Sequence, residues 1–351
     1  MSAGGLVALV LLIVVAAYSC AGGVDYGAGF WDLVAGGAVR GERPRWLIDH
    51  SMEPVWEANN VWLIFIMVIS WTGFPVFFQT LFTALWLPLA LAAVGLVLRG
   101  AGFALRKPTR RLAERRVYGA AFAVASLLTP FFLGAAVGGL ASGRVAPGTQ
   151  ASADTWANPS SIVAGLLTVA ATAFLGSVFL TADAHGLAAV DLVGYFRRRA
   201  WASLVVLAVL ALAGAVVTRD DAPYVYGGLT SGAGLVLVLA AVVGALGTAW
   251  LLARGAFGWA RVTAVVCVAA VVFGWGIAQR PYLVPTSLTV AQAAGAPTTL
   301  RWLLLVIVVA VVVVGPALVL LYRLDTRGRL EALSDTDLRR PAAARDTPPT
   351  V

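Results

Sequence analysis

An all-α polytopic membrane protein is the fold class that three features of the sequence predict. Of its 351 residues 60% are hydrophobic and only 12% are charged, with a mean hydropathy of +0.88. That leaves too little polar surface to cover one aqueous core. Apolar stretches long enough to cross about 30 Å of hydrocarbon, at about 1.5 Å per helical residue, recur along the chain. A membrane β-barrel would need alternating segments of roughly ten residues instead, so helices are the fitting solution.

Nine such stretches are expected, at residues 4–25, 55–76, 79–99, 117–141, 160–183, 200–218, 228–252, 258–279 and 300–322. The first has no Lys or Arg before it and is too long for a signal peptide, so it reads as a retained span; lipoprotein-type processing at Cys20 is the weaker alternative. Alternation across nine spans places 21 of the 25 basic residues on one side, including Arg40, Arg43, Arg45, the run from Arg99 to Arg116 and Arg197–Arg199. Only Arg144, Arg219, Arg280 and Arg301 fall on the other. The basic side is then cytoplasmic, with the N-terminus outside and the C-terminus inside. Residues 1–323 form the transmembrane domain, and the Pro-rich, charged stretch 324–351 reads as a disordered cytoplasmic tail.

Several function classes drop out on composition. The net charge of +8 is explained by topology, and no nucleic-acid motif accompanies it. Cys20 and Cys267 form no spacing motif for a disulfide framework or a metal. Two histidines, His50 and His185, with Met52 and Met67, are too few and too badly placed to ligate a haem within the membrane. No nucleotide-binding or metalloprotease motif appears.

What remains are carboxylates beside the membrane, each of which calls for a reason. Asp25 in GGVDYGAG closes span one, Glu57 in EPVWEANNVWLIF opens span two, and Asp183 in LTADAHG closes span five. All three fall toward the cytoplasmic side, where they would mark a proton entrance. Each also has a plainer reading: Glu57 as a helix N-terminal charge, Asp25 as a turn residue, Asp183 with His185 as a solvated helix end, which is preferred for that pair. Trp56 and Trp62 suit an interfacial belt. The small-residue motifs GAAVG at 134–138 and GLTSG at 228–232 fit close helix contacts, though 37 glycines make chance matches expected.

These segments together resemble a known family. PVWEANNVWLIF resembles the W-[DE]-x-N-x-V-W-L signature of subunit II of cytochrome bd-type quinol oxidases. GGVDYGAG is similar to that family's D-G-F-D-x-G-x-G segment, and RPYLVPTSLTVAQAAG at 280–295 to its F-P-x-x-x-P-S-S segment before the last helix. The three occur in the family's order. Gly22 departs from the pattern where the family usually carries its first aspartate, while Asp25 is retained; Glu57 stands where aspartate is frequent, Ala58 replaces a common glycine and Asn60 occupies a variable site.

The resemblance implies two four-helix bundles plus a peripheral helix, in the bacterial plasma membrane. It implies a haem-free subunit paired with a subunit I that carries haems b and d and oxidises quinol from the membrane pool, oxygen being reduced to water. It leaves room for a small accessory subunit and for a quinone or lipid at the subunit interface, and implies no nucleic acid, no metal and no complete active site in this chain. Proton delivery carries over onto Glu57, with Asp25 and Asn59 beside it and Trp56, Asn60 and Trp62 in support. Two other readings are kept. A proton-coupled secondary transporter would use Glu57 and Asp25 differently, but the mid-span positions read as nearly all apolar where it would need ionisable groups. A purely structural assembly subunit would differ only in what Glu57 does.

Overall fold

The computed structural model describes residues 2–37, 40–52, 56–106 and 112–326. In chain order they form α1 (Ala3–Leu33), α2 (Glu42–Met52), α3 (Trp56–Gly73), α4 (Pro75–Ala84), α5 (Trp86–Arg106), α6 (Leu112–Ala141), α7 (Ala153–Trp156), α8 (Pro159–Gly186), α9 (Val190–Asp221), α10 (Pro223–Leu229), α11 (Gly232–Arg254) and α12 (Phe257–Ala278). A small antiparallel pair, β1 (Tyr282–Val284) and β2 (Leu288–Thr289), precedes α13 (Val290–Ala293) and α14 (Pro297–Thr326). The expected tail lies outside the described residues from 327 onward.

Six helices are long and apolar enough to cross a membrane among the described residues, or seven if the bent pair α3–α4 is one span. Two shorter apolar stretches, Trp86–Gly102 and Pro297–Val313, accompany them. Span boundaries differ from expectation where proline intervenes. Pro75 has no N–H to continue α3 and pushes Phe74 out of helical geometry (φ −139°, ψ 64°), so α3 and α4 meet at 116°. The expected second and third spans are thus three helices.

Local chemistry starts the others. Ser2 accepts a hydrogen bond from the Gly5 amide at 3.1 Å to open α1, and Asn158 accepts one from the Ser161 amide at 2.9 Å to open α8 behind Pro159. Gly255, at φ 75°, closes α11 in the left-handed conformation that a side chain would disfavour.

The chain divides into two compact units, Met1–Leu300 and Arg301–Val351. In the first, α8 is central, packing on α1, α6, α9 and α12. Half of its apolar stretch is buried, against 22% for those of α9 and α11, whose outer faces are valine and leucine. Small residues let the backbones approach. A Cβ on Gly176 would lie 2.7 Å from the Gly27 Cα, and one on Gly138 would lie 2.6 Å from the Ser161 Cα. Both motifs singled out from the sequence make such contacts: Gly134 and Gly138 meet α8, and Gly228 meets the end of α12 at Ala278. Within the second unit α14 continues as a helix rich in exposed valine, with Pro316 inside it.

Ion pairs fasten helix ends. Arg144 reaches Asp221 at 2.5 Å, which holds the Arg144 guanidinium above its ordinary value, while Asp221 also accepts from the Ser160 amide at 3.0 Å. The Arg144 side chain is about a third exposed, so solvent screens the pair. We expect Arg144→Ala to cost about 1 kcal/mol or less in thermal unfolding of the solubilised protein; a loss several times larger would show that the pair organises the whole loop.

Candidate functional site

The polar interior of the helical body is built where α1, α5 and α6 meet. Glycines make the meeting possible: a Cβ on Gly102 would lie 2.7 Å from the Tyr118 carbonyl oxygen and 2.9 Å from the Phe122 nitrogen, and one on Gly29 would overlap the Ser126 side chain. Into this contact α5 sends Arg99, 2% exposed, and α1 sends Asp25, 5% exposed. Arg99 Nη2 lies 3.4 Å from Asp25 Oδ1. Arg99 Nε donates to Ser126 Oγ at 3.2 Å, and Ser126 in turn donates to the Phe122 carbonyl at 2.8 Å. The guanidinium sits 4.6 Å from the Tyr26 ring centroid and 5.2 Å from that of Phe122, so two aromatic faces share its charge. Tyr26 and Tyr18 join hydroxyls at 2.9 Å.

Burying either charge alone would cost several kcal/mol, so each calls for the other as its partner. Arg99 Nη2 makes no hydrogen bond among the described residues although Asp25 faces it. A carboxylate, a guanidinium with donor capacity to spare and three hydroxyls therefore share one buried region, which suits the holding of ordered water and the passage of protons.

This arrangement corrects several expectations. Asp25 does not close the first span: α1 runs on to Leu33, and the residue is buried mid-helix in an ion pair. Arg99 is not a loop cation: it lies within α5 and is 2% exposed. At Gly22, where the family's first aspartate would project, the Tyr18 ring fills the space, its Cε2 3.1 Å from where a Cβ would stand. Asp183 is not simply a solvated helix end; it pairs with Arg261 of α12, whose Nη2 also donates to the Phe179 carbonyl at 2.9 Å. His185 turns its ring edge to Phe257, with centroids 5.2 Å apart. Both contacts tie α8 to α12.

Trp62 is half-buried within α3. The backbones of Trp56, Glu57, Asn59 and Asn60 belong to the first turns of α3, which packs on α1; their side chains lie outside the described residues. Both histidine rings are engaged by aromatic neighbours, His185 as above and His50 stacked on Trp46 at 5.6 Å. Among the described residues no three His, Cys, Asp or Glu side chains gather as metal ligands.

Arg99 is the residue that reading the sequence missed. Its signal was there: an arginine between LAAVGLVL and GAGFAL, six small or apolar residues short of Arg106. Assigning it to the neighbouring basic cluster hid it.

Residues 5–325 match the sequence model of the family described as cytochrome bd terminal oxidase subunit II. The chain is 28% identical over 112 residues to the cytochrome bd ubiquinol oxidase subunit 2 of Bacillus subtilis (strain 168), covering 32% of each. It is 24% identical over 135 residues to the cytochrome bd-I ubiquinol oxidase subunit 2 of Escherichia coli (strain K12), or 38% of this chain and 35% of that one. These alignments thus span about a third of the relatives' length. A putative cytochrome bd menaquinol oxidase subunit II of B. subtilis aligns more fully, at 21% identity over 323 residues, 89% of this chain and 92% of that one. In three dimensions the chain is similar to one in the bd oxidase structure from Geobacillus thermodenitrificans, with a TM-score of 0.78 and 26% identity over 92% of this chain and 98% of the other. Sequence model and fold agree that this multi-pass plasma-membrane protein belongs to the cytochrome bd terminal oxidase subunit II family.

Proposed function

We propose that this chain is the haem-free subunit II of a bacterial quinol oxidase, working with a haem-bearing subunit I in oxidising quinol and reducing oxygen to water. The observation that carries the proton part of this reading is the buried Asp25–Arg99 pair, in the segment GGVDYGAG that resembles the family's. Haems b and d on the partner supply the redox chemistry. The residues of this chain hold and pass protons. Glu57, at the start of α3, takes them from the cytoplasm, with Asn59 and Asn60 as its supporting amides and Trp56 and Trp62 in support. Asp25, paired with Arg99, continues the hydrated path within the bundle. Asp183 and His185 are left to structure.

The same proposal includes nine spans with the N-terminus outside: seven spans by length, counting the bent pair α3–α4 as one, and two shorter apolar helices support that number. Residues 1–323 are its transmembrane domain and 324–351 its cytoplasmic tail. A small accessory subunit, and a quinone or lipid between subunits, are compatible with it.

The test is a reduced-minus-oxidised visible spectrum of the complex drawn from mild detergent through a tag on this chain. Haem bands including the long-wavelength chlorin type, arriving with a second polytopic subunit, are the expected result. A haem-free preparation intact as one polypeptide would instead favour a proton-coupled transporter. In the assembled complex, Glu57→Ala is expected to slow oxygen reduction on the order of tenfold or more with the spectrum unchanged. An unaltered rate would make the chain an assembly subunit without a proton role.

A further inference from the structure

A crevice of about 290 Å³ opens between the segment joining α1 to α2 and the first turns of α9. Arg40, Arg43 and Arg198 line it, with Asp191 as the one carboxylate and Tyr195 at its wall. Arg43 uses Asp191, at 2.9 Å. Arg40 and Arg198 have no carboxylate partner among the described residues; the bond recorded for Arg198 runs from Nε to the Gly194 carbonyl at 3.3 Å. The Tyr195 hydroxyl is buried and has no hydrogen-bond partner, and its ring is held from the other side by Arg199, whose Cζ lies 3.3 Å from the centroid. A buried hydroxyl without a hydrogen-bond partner and two guanidinium groups without a carboxylate, on residues lining one crevice, ask for an acceptor of negative charge.

We propose that this crevice binds the phosphate of an anionic lipid headgroup. Guanidinium forks match phosphate oxygens in geometry, and clustered cations at the head of membrane helices attract anionic headgroups. Depth selects lipid over free phosphate. The apolar run of α9 begins at Ala200, two residues beyond Arg198 and so about 3 Å further along the axis. Trp201, exposed, follows at the start of that run, as interfacial tryptophans do. Above the crevice, Val205 and Leu212 follow Arg198 at intervals of seven residues on one helix face, 59% and 70% exposed, so a phosphate held by Arg198 would lead its acyl chains onto an apolar stripe.

The test is native mass spectrometry of the tag-purified complex with phosphatidylglycerol, phosphatidylcholine or inorganic phosphate. Wild-type complex is expected to retain phosphatidylglycerol, and Arg40→Gln with Arg198→Gln to weaken that retention about thirtyfold, at roughly fivefold for each cation near the surface. Tyr195→Phe, which keeps the ring under Arg199, is expected to weaken it severalfold. Arg254→Gln, a basic position elsewhere, is expected to change nothing. Both arginines are exposed, so haem content and thermal unfolding of the double variant should match wild type. Equal retention by wild type and double variant, or equal retention of phosphatidylcholine, would overturn the site. Full displacement of phosphatidylglycerol by millimolar inorganic phosphate would overturn the lipid as its source and leave a soluble-anion site.

Discussion

Arg99→Ala is expected to cost about 3–5 kcal/mol and to remove most assembled protein from the membrane. The alanine leaves the Asp25 carboxylate buried among α1, α5 and α6, 5% exposed, with its cation gone. It also strips Ser126 of the Arg99 donor and Tyr26 and Phe122 of the charge over their rings. Asp25→Ala should be similarly damaging, for the reciprocal reason. Replacing both, as Asp25→Leu with Arg99→Met, is expected to recover much of the loss, because neither charge then needs solvation. Yield and thermal unfolding of the solubilised complex measure this. Single variants as stable as wild type would mean that water reaches the pair and that the site is open. The recovered double variant also separates stability from function: if Asp25 serves proton delivery, it should assemble with a normal haem spectrum and still turn over slowly.

Gly27→Ala is the second large effect. Gly27 of α1 and Gly176 of α8 touch backbone to backbone; a Cβ on Gly27 would lie 2.7 Å from the Thr172 carbonyl carbon and 2.9 Å from the Gly176 Cα. No rotamer change relieves an overlap with main chain, so the helices must separate. A destabilisation of about 3 kcal/mol, the upper part of the usual range for overpacking, is expected. Asp25 lies two residues away, so separation of α1 from α8 would also disturb its contact with Arg99. Gly258→Ala in the first turn of α12, where nothing lies within 4 Å of the new carbon, should be neutral or stabilising by up to about 1 kcal/mol. Melting curves of the two variants side by side check the contrast; equal behaviour would show that the α1–α8 contact has slack.

Both effects concern residues whose types were plain in the sequence and whose partners were not. That 37 glycines occur was visible; that Gly134, Gly138 and Gly228 sit at backbone contacts while Gly258 faces open space was not. Asp25 was recognisable as an acid to be explained, through its motif. Its neighbour Arg99 lies 74 residues further on, and no local periodicity joins them. Asp183 similarly finds Arg261 across the bundle, which turns a presumed solvated helix end into a fastening.

By itself the sequence determined the solvent, the helical class and the family. Those follow from quantities local in the chain: apolar length against bilayer thickness, and contiguous motifs. Tertiary structure alone decided which polar groups meet and that an arginine counted with the loops is buried inside the protein. The reason is that a buried charge is settled by its partner, and packing brings that partner from a distant part of the chain.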